Sequence, residues 1–526
     1  MDLADERPES FTFGPVPLRQ VAIHLHPQDK VAIARALLPA GTILMTDAGL
    51  QVSVREAVPC GHKVALWDIA AGEPVRRYGQ VIGFASQDIR AGEHVHEHNV
   101  GVQGFARDYA FGVDAQPVAY VPASERRTFL GYPRADGRVG TRNYVAVISS
   151  VNCSAHVTRE IARYFTPERL ASYPNADGVI ALVHPYGCAT QVGGPDYALL
   201  QRVLAGMACH PNVGACLLVG LGCEGNQIAA LVENYHLGDS PQMLPPLIIQ
   251  DAGGIRRAVQ RGIAAVADVL PRVNCCRRTT SPISELVIAL QCGGSDSWSG
   301  VSANPTVGLV ADEVVRQGGT VVLAETPEVY GAEHLLTRRA ASPQIGRQLV
   351  ALMQAWEERL AGLGMGFDNN RGPGNTVGGL TTIYEKALGG VAKGGSTPLT
   401  AVYGYAERVA ARGLTFMDSP GYDPVSVTGQ VAGGCNLVLF TTGRGSVFGF
   451  RPAPSIKICS NTAIYERMAD DIDVNAGRVL EGEPMEEVAR ELLDLVIAVA
   501  SGQPSKSETQ GVGEAEFNPW QLGSML

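Results

Sequence analysis

The chain has 526 residues, too many for one hydrophobic core, so two to four domains are expected. With 45% hydrophobic and 18% charged residues it reads as a well-buried globular protein, not a disordered one. A formal charge of −10 and a pI near 5.6 argue against nucleic acid or an anionic membrane as the main partner, while a local pocket of opposite sign can still take a small anion. Residues 1–20 form an acidic, polar extension without the basic and apolar regions of a signal peptide, and no apolar run approaches the roughly 20 residues of a membrane span. A cytoplasmic location is therefore expected, and 11 cysteines in such a chain read as thiols.

Residues 21–100 carry period-2 stretches such as Gln51-Val52-Ser53-Val54 between repeated glycine and proline turns, which predicts a small β-rich domain. Residues 101–128 have little periodicity and read as a linker. From Tyr144 onward apolar runs alternate with helical patterns, the signature of βαβ units with parallel sheets. Strands are predicted at Val145–Val151, Val179–His184, Ala215–Leu221, Leu247–Gln250, Leu286–Gln291, Thr320–Ala324 and Leu437–Thr441. Helices are predicted at Ala155–Phe165, Tyr197–Ala208, Ile255–Val269, Gln344–Leu360 and Glu486–Ala500. A break from Pro271 to Pro282 divides this region into a first α/β lobe, 129–272, and a second, 283–505, followed by a tail, 506–526.

Four cysteines, Cys153, Cys188, Cys223 and Cys292, fall at or just past predicted strand ends, so strands that share a sheet would gather the thiols along one edge. The last belongs to Gln291-Cys292-Gly293-Gly294-Ser295-Asp296, where a thiol, a carboxylate and glycine amides follow an apolar run. Gly220-Leu221-Gly222-Cys223-Glu224-Gly225 fits a dinucleotide fingerprint, with Asp251 ending the next strand, so an NAD-dependent oxidoreductase competes; Cys223 and Glu224 inside the turn favour a catalytic turn instead. In the β-rich domain His26, Asp29 and His62 offer imidazole and carboxylate, which suit Fe²⁺, Mn²⁺ or acid–base work. His94, His96 and His98 share one face of an extended segment and read as an exposed edge. Two glycine-rich loops, 372–379 and 441–446, offer many amides, and Arg444 adds a guanidinium suited to a carboxylate.

These motifs form a larger pattern. GYPRADGRVGTRN (131–143), HPYGC (184–188), VGLGCEGNQ (219–227), QCGGSD and SGVSANP (291–305), AETPE (324–328), PGN with GG (373–379), SPGYDPVS (419–426) and TTGRGS (441–446) resemble the altronate and galactarate dehydratase family. IHLHPQDKVA and GHKVALWDI look like the SAF domain, a β-clip module that precedes the catalytic part there. The resemblance implies a small all-β (β-clip, SAF-like) domain before an α/β body with parallel Rossmann-like sheets. It further implies dehydration of a hexonic or hexaric acid, altronate first and galactarate next, to a 2-keto-3-deoxy acid with divalent iron.

On that reading His26 and His62 are metal ligands, His62 doubling as an acid–base group, and Glu224, Asp296 and Cys292 join it as catalytic residues. Asn375 and Arg444, with Ser295 and Thr442, bind substrate. The alternatives for the cofactor are Mn²⁺, or an iron–sulfur cluster on Cys153, Cys188 and Cys292. The expected partner is a small-molecule sugar acid, with a homodimer among the expected assemblies; a non-catalytic sugar-acid-binding protein is the remaining alternative.

Overall fold

The structure, a computed structural model, describes residues 14–523, so most of the expected extension and the last three residues of the tail lie outside the described residues. It divides into two compact units, residues up to 106 with 371–386, and residues 107–370 with 387–526.

In the first unit, turn glycines cut the chain into short strands. Four pair antiparallel in the order Ala22–Ile23, Val31–Ala34, Lys63–Ala65, His94–Val95. Two three-stranded sheets accompany them, one of Val16–Pro17, Ile43–Met45 and Gln51–Ser53, the other of Val100–Gly101, Gln80–Ala85 and Pro74–Arg77. Alternation buries Ala32, Ala34, Leu44, Val52 and Val64 in one small core. At Gly92 the turn demands glycine twice over, since φ is 88° and an added Cβ would lie 1.9 Å from Ser53 O. The distant segment 371–386 belongs here because its Glu385 neutralises two buried cations, Lys63 Nζ at 3.0 Å and Arg77 Nη1 at 2.5 Å.

The second unit holds two parallel sheets. The first runs in the order Gly178–Leu182, Tyr144–Ser149, Val213–Gly220, Leu247–Ile248. The second has seven strands, Leu399–Tyr403, Gly413–Met417, Thr320–Leu323, Val287–Cys292, Leu437–Thr442, Ser455–Cys459 and Val474–Asn475, in that spatial order. Their apolar runs are buried, as parallel strands covered on both faces must be. One hydrophobic core contains Ile148 and Leu218 from the first sheet and Ala289, Val438 and Phe440 from the second, which makes the two lobes a single unit. The Met485–Ala500 helix, predicted at Glu486–Ala500, buries Val488, Leu492, Val496 and Val499 on one face.

Each predicted strand is present within a few residues, and four more complete the second sheet. Ser455–Cys459 escapes a hydrophobic scan because Lys457 sits in its middle, fully buried, its ammonium donating to Phe448 O at 2.9 Å and to Ser507 Oγ. The helix predicted to stop before Pro271 continues to Cys275. A proline there lacks only the bond to residue 267, and the helix ends a turn later. Thr279–Pro282, inside the expected break, instead pairs with Thr128–Pro133 in a small antiparallel sheet with Val139–Gly140. No helix among the described residues is long and apolar enough to cross a membrane.

Candidate functional sites

Three imidazoles converge in the first unit. The register pairs Val64 with His94 and Lys63 with Val95, so His62 comes opposite His96 and diagonal to His94 on one face. Asn99 fixes the chain beyond, accepting from His96 N at 2.9 Å and donating to His94 O at 2.8 Å. His62 Nε2 donates to Val377 O at 3.2 Å, which leaves Nδ1 to accept from His94 Nε2 at 3.0 Å. The ligating nitrogens of His62, His94 and His96 all lie within 4.8 Å of one another.

Burial, aided by the Lys63 charge, lowers the pKa of all three rings, and the neighbouring imidazoles lower those of His94 and His96 further, to about 4 and about 3. All are therefore neutral near pH 7, the form that ligates metal, and the buried Nδ1 of His96 has no hydrogen-bond partner among the described residues. Neutral nitrogen donors and an unused buried lone pair fit a divalent cation. All-imidazole ligation favours iron over manganese, which prefers carboxylate and water.

The sequence reading misplaced two parts of this set. His98 is exposed and the His94–Val95 strand does end its sheet, but His94 and His96 are half-buried and buried because both rings pack against His62 on one face. His26 is not in the trio. It sits in a turn where Nδ1 accepts from Gln28 N at 3.2 Å, and Asp29 closes a neighbouring turn by accepting from Tyr78 N and Gly79 N.

In the second unit, the carboxyl edge of the seven-stranded sheet gathers charge. Cys292 ends its strand and is buried. Its thiol donates to Glu328 Oε2 at 3.2 Å and accepts from Lys393 Nζ at 2.7 Å, and Lys393 lies 3.4 Å from Glu325 Oε2. Glu325 takes the left-handed conformation, φ 67°, rare for a non-glycine, held by Ser419 Oγ on its N–H at 2.9 Å. Burial raises the Cys292 pKa further than the Lys393 charge lowers it, so it stays a thiol. Burial works against charge on Lys393, but Cys292, Glu325 and Glu328 outweigh it and raise its pKa. The group is an ammonium held by two carboxylates with a thiol between. A lysine already fills the place that a cation would take, so this cluster suits metal less well than the imidazoles do.

Asp296 lies beyond the same strand. Its Oδ1 accepts from Ser299 N, Ser299 Oγ and Ser460 Oγ, each at 2.8 Å, and its Oδ2 from Asn461 Nδ2 at 3.1 Å. Burial raises its pKa despite these bonds. The glycine loops interlock above it, Gly443 N and Arg444 N both donating to Gly294 O at 3.1 and 2.9 Å, and a Cβ on Gly443 would lie 2.1 Å from Asp296 Cγ. Ser295 is buried beside Asp296, Thr442 Oγ1 is buried without a hydrogen-bond partner among the described residues, and Arg444 is exposed. Asn375 belongs to the first unit, where its side chain accepts from Gly372 N at 2.9 Å and caps a short helix.

Glu224 is spent on its own turn. It accepts from Ser150 Oγ at 2.7 Å, Leu221 N at 3.1 Å and Gly222 N at 2.6 Å. Those two amides are the ones a pyrophosphate would need, so the fingerprint turn is filled by its own carboxylate and the dinucleotide reading loses its basis. Glu325, Glu328 and Lys393 were not singled out from sequence as site residues. The two acids follow a buried apolar run ending at Ala324, a legible cue, whereas a lone lysine after a helix offers none.

Comparison with known proteins agrees across the chain. Residues 20–103 match the family model "Altronate/galactarate dehydratase SAF domain", 131–274 "D-galactarate dehydratase/Altronate hydrolase, second domain", and 283–525 "D-galactarate/Altronate dehydratase, C-terminal". The altronate dehydratase of Bacillus subtilis strain 168 is 35% identical over 489 residues, 91% of this chain and 95% of that protein. That of Escherichia coli K12 is 36% identical over 488 residues, 92% of this chain and 96% of its own. The galactarate dehydratase (L-threo-forming) of Escherichia coli K12 is 36% identical over 518 residues, 94% and 96% of the two chains.

Proposed function

The chain belongs to the altronate/galactarate dehydratase family of carbon–oxygen hydro-lyases, and from that membership we propose that it dehydrates a hexonic or hexaric acid, altronate first and galactarate next, to a 2-keto-3-deoxy acid with the help of divalent iron. The observation that carries the metal part is the trio His62, His94 and His96, neutral, within 4.8 Å, with one buried nitrogen unpartnered. A bound cation would polarise the substrate's carboxylate and C2 hydroxyl and so acidify the C2 proton.

The chain's own residues supply the rest. The imidazoles, kept uncharged by burial, present lone pairs to the cation and leave proton transfer to other groups. In the second unit Glu328 is the proton acceptor of the Cys292–Lys393 network, and Lys393, permanently an ammonium, stabilises negative charge developing on oxygen. Asp296 positions the Gly293–Asp296 and Gly443–Arg444 loops. Arg444, exposed in that loop next to Thr442 and Gly443, offers a guanidinium fork to an anionic group.

A panel of aldonic and aldaric acids, incubated anaerobically with the protein and ferrous iron and read for keto-acid product, tests this. Product from altronate or galactarate is expected. Failure across the panel with folded, iron-loaded protein refutes the dehydration reading.

A further inference from the structure

Three of the four strand-end cysteines share one sheet edge. The adjacent parallel strands Gly178–Leu182, Tyr144–Ser149 and Val213–Gly220 lead into loops that carry Cys188, Cys153 and Cys223 just beyond their carboxyl ends. These loops are joined to each other. Asn152 N donates to Tyr186 O at 2.8 Å, Gly225 N to Cys188 O at 2.8 Å, and Asn226 Nδ2 to Ser150 O at 3.0 Å. Each cysteine thus lies within two residues of a bond that ties its loop to the next.

The thiols of Cys153, Cys188 and Cys223 are all exposed, whereas Cys216 within the third strand is buried. Free exposed cysteines are poor surface residues unless they bind or react. Two polar groups accompany them: Gln250 Nε2 donates to Cys223 Sγ at 3.6 Å, and Asn226, 2% exposed, keeps its Oδ1 without a hydrogen-bond partner among the described residues. Glu224 is held in its turn and does not compete for a metal. Cys292, the other strand-end cysteine, is buried in the second lobe against Lys393 and Glu328.

Three exposed thiols on loops tied to one another, with Glu224 already engaged, make a soft, all-sulfur donor set. Soft thiolate ligands select iron–sulfur clusters. We propose that Cys153, Cys188 and Cys223 hold an iron–sulfur cluster through three of its irons, leaving the fourth iron open to an oxygen ligand such as a hydroxy acid. Binding is ligand exchange: three thiols release protons, three sulfur–iron bonds form, and no electrons leave the protein. Gln250, by its bond to Cys223 Sγ, tunes the cluster's potential.

The test needs no substrate, so its failure would leave the dehydration reading standing. Full-length protein isolated without oxygen, or reconstituted with ferrous and ferric iron and sulfide, should bind about 4 sulfide per chain and about 4 iron beyond the iron held by the imidazoles. It should also show charge-transfer absorbance and a paramagnetic signal on dithionite reduction. Cys153→Ser, Cys188→Ser and Cys223→Ser should each cut bound sulfide at least ~10-fold, while Cys60→Ser with Cys275→Ser, and separately His94→Ala with His96→Ala, should retain it. Folding of every variant is checked by circular dichroism. Metal bound without sulfide, sulfide absent from folded wild-type protein, or sulfide retained in the triple serine variant would each overturn the proposal.

Discussion

Glu385 is the residue on which the first unit should depend most, because one carboxylate neutralises two buried cations. Lys63, Arg77 and Glu385 side chains are 0%, 1% and 0% exposed. The effects on the partners are unequal for a physical reason. Burial opposes ionisation of Glu385, yet Lys63 and Arg77 outweigh it and hold its pKa at about 2 instead of 4.5, whereas burial and the Arg77 charge bring Lys63 down to about 8 despite the shared carboxylate. A depression from 4.5 to about 2 corresponds to roughly 3 kcal/mol. That lies within the range of about 3–5 kcal/mol for breaking a buried pair.

Because the folded pKa is depressed, this stabilisation is fully present above pH 4.5 and is lost as pH falls through about 2. Glu385→Gln removes it at every pH and leaves two cations buried together. The assay is hydrogen exchange at neutral pH, read on peptides covering Val31–Ala34 and Lys63–Ala65, the paired strands that carry the buried lysine. Exchange should quicken by roughly 100-fold, the factor that about 3 kcal/mol represents, while peptides from Val287–Cys292 in the other unit stay unchanged. A change of less than about threefold in the Lys63–Ala65 peptide would refute the reasoning.

Three other outcomes are expected. His96→Ala should weaken ferrous-ion binding by about 10–100-fold, measured by equilibrium dialysis, with unchanged thermal unfolding of the metal-free protein; equal affinity would remove His96 from the ligand set. Lys393→Met leaves Glu325 and Glu328 buried without a counter-charge, so turnover should fall by at least ~100-fold while KM changes less, and a rate within threefold of the parent would remove Lys393 from the chemistry. Asp296→Asn sets an amide NH₂ against either three donors or Asn461 Nδ2, which should cost about 1–3 kcal/mol in urea unfolding and lower turnover by disordering Arg444. Full stability would show that the loop does not rest on this carboxylate.

The α/β body was legible because its strands are continuous apolar runs ending in glycine, as at Leu286–Gln291, and its helices carry a 3.6-residue stripe, as at Glu486–Ala500. The turn at Gln291–Asp296 was legible as a strand end bearing chemistry, but not as a place where Asp296 is fully hydrogen-bonded and Cys292 holds a lysine. Ser455–Cys459 was not legible, since Lys457 is buried by partners about 10 and 50 residues away in sequence. The imidazole trio was half legible. His62 stood out, but whether His94 and His96 face water or His62 depends on strand register, and a one-residue slip would turn both away.

By itself the sequence determined the local periods, the turns, the resemblance of many separate motifs to one family, and the presence of strand-end thiols, because each is written in neighbouring residues. Only the tertiary structure decided which of these meet. It paired His62 with His94 and His96 in place of His26, filled the Gly220–Gly225 turn with its own Glu224, set Lys393 against Cys292, and grouped Cys223 with Cys153 and Cys188. The reason is that charge pairing, burial and strand order couple residues far apart in the chain, and their energies depend on distance in space, which no local pattern encodes.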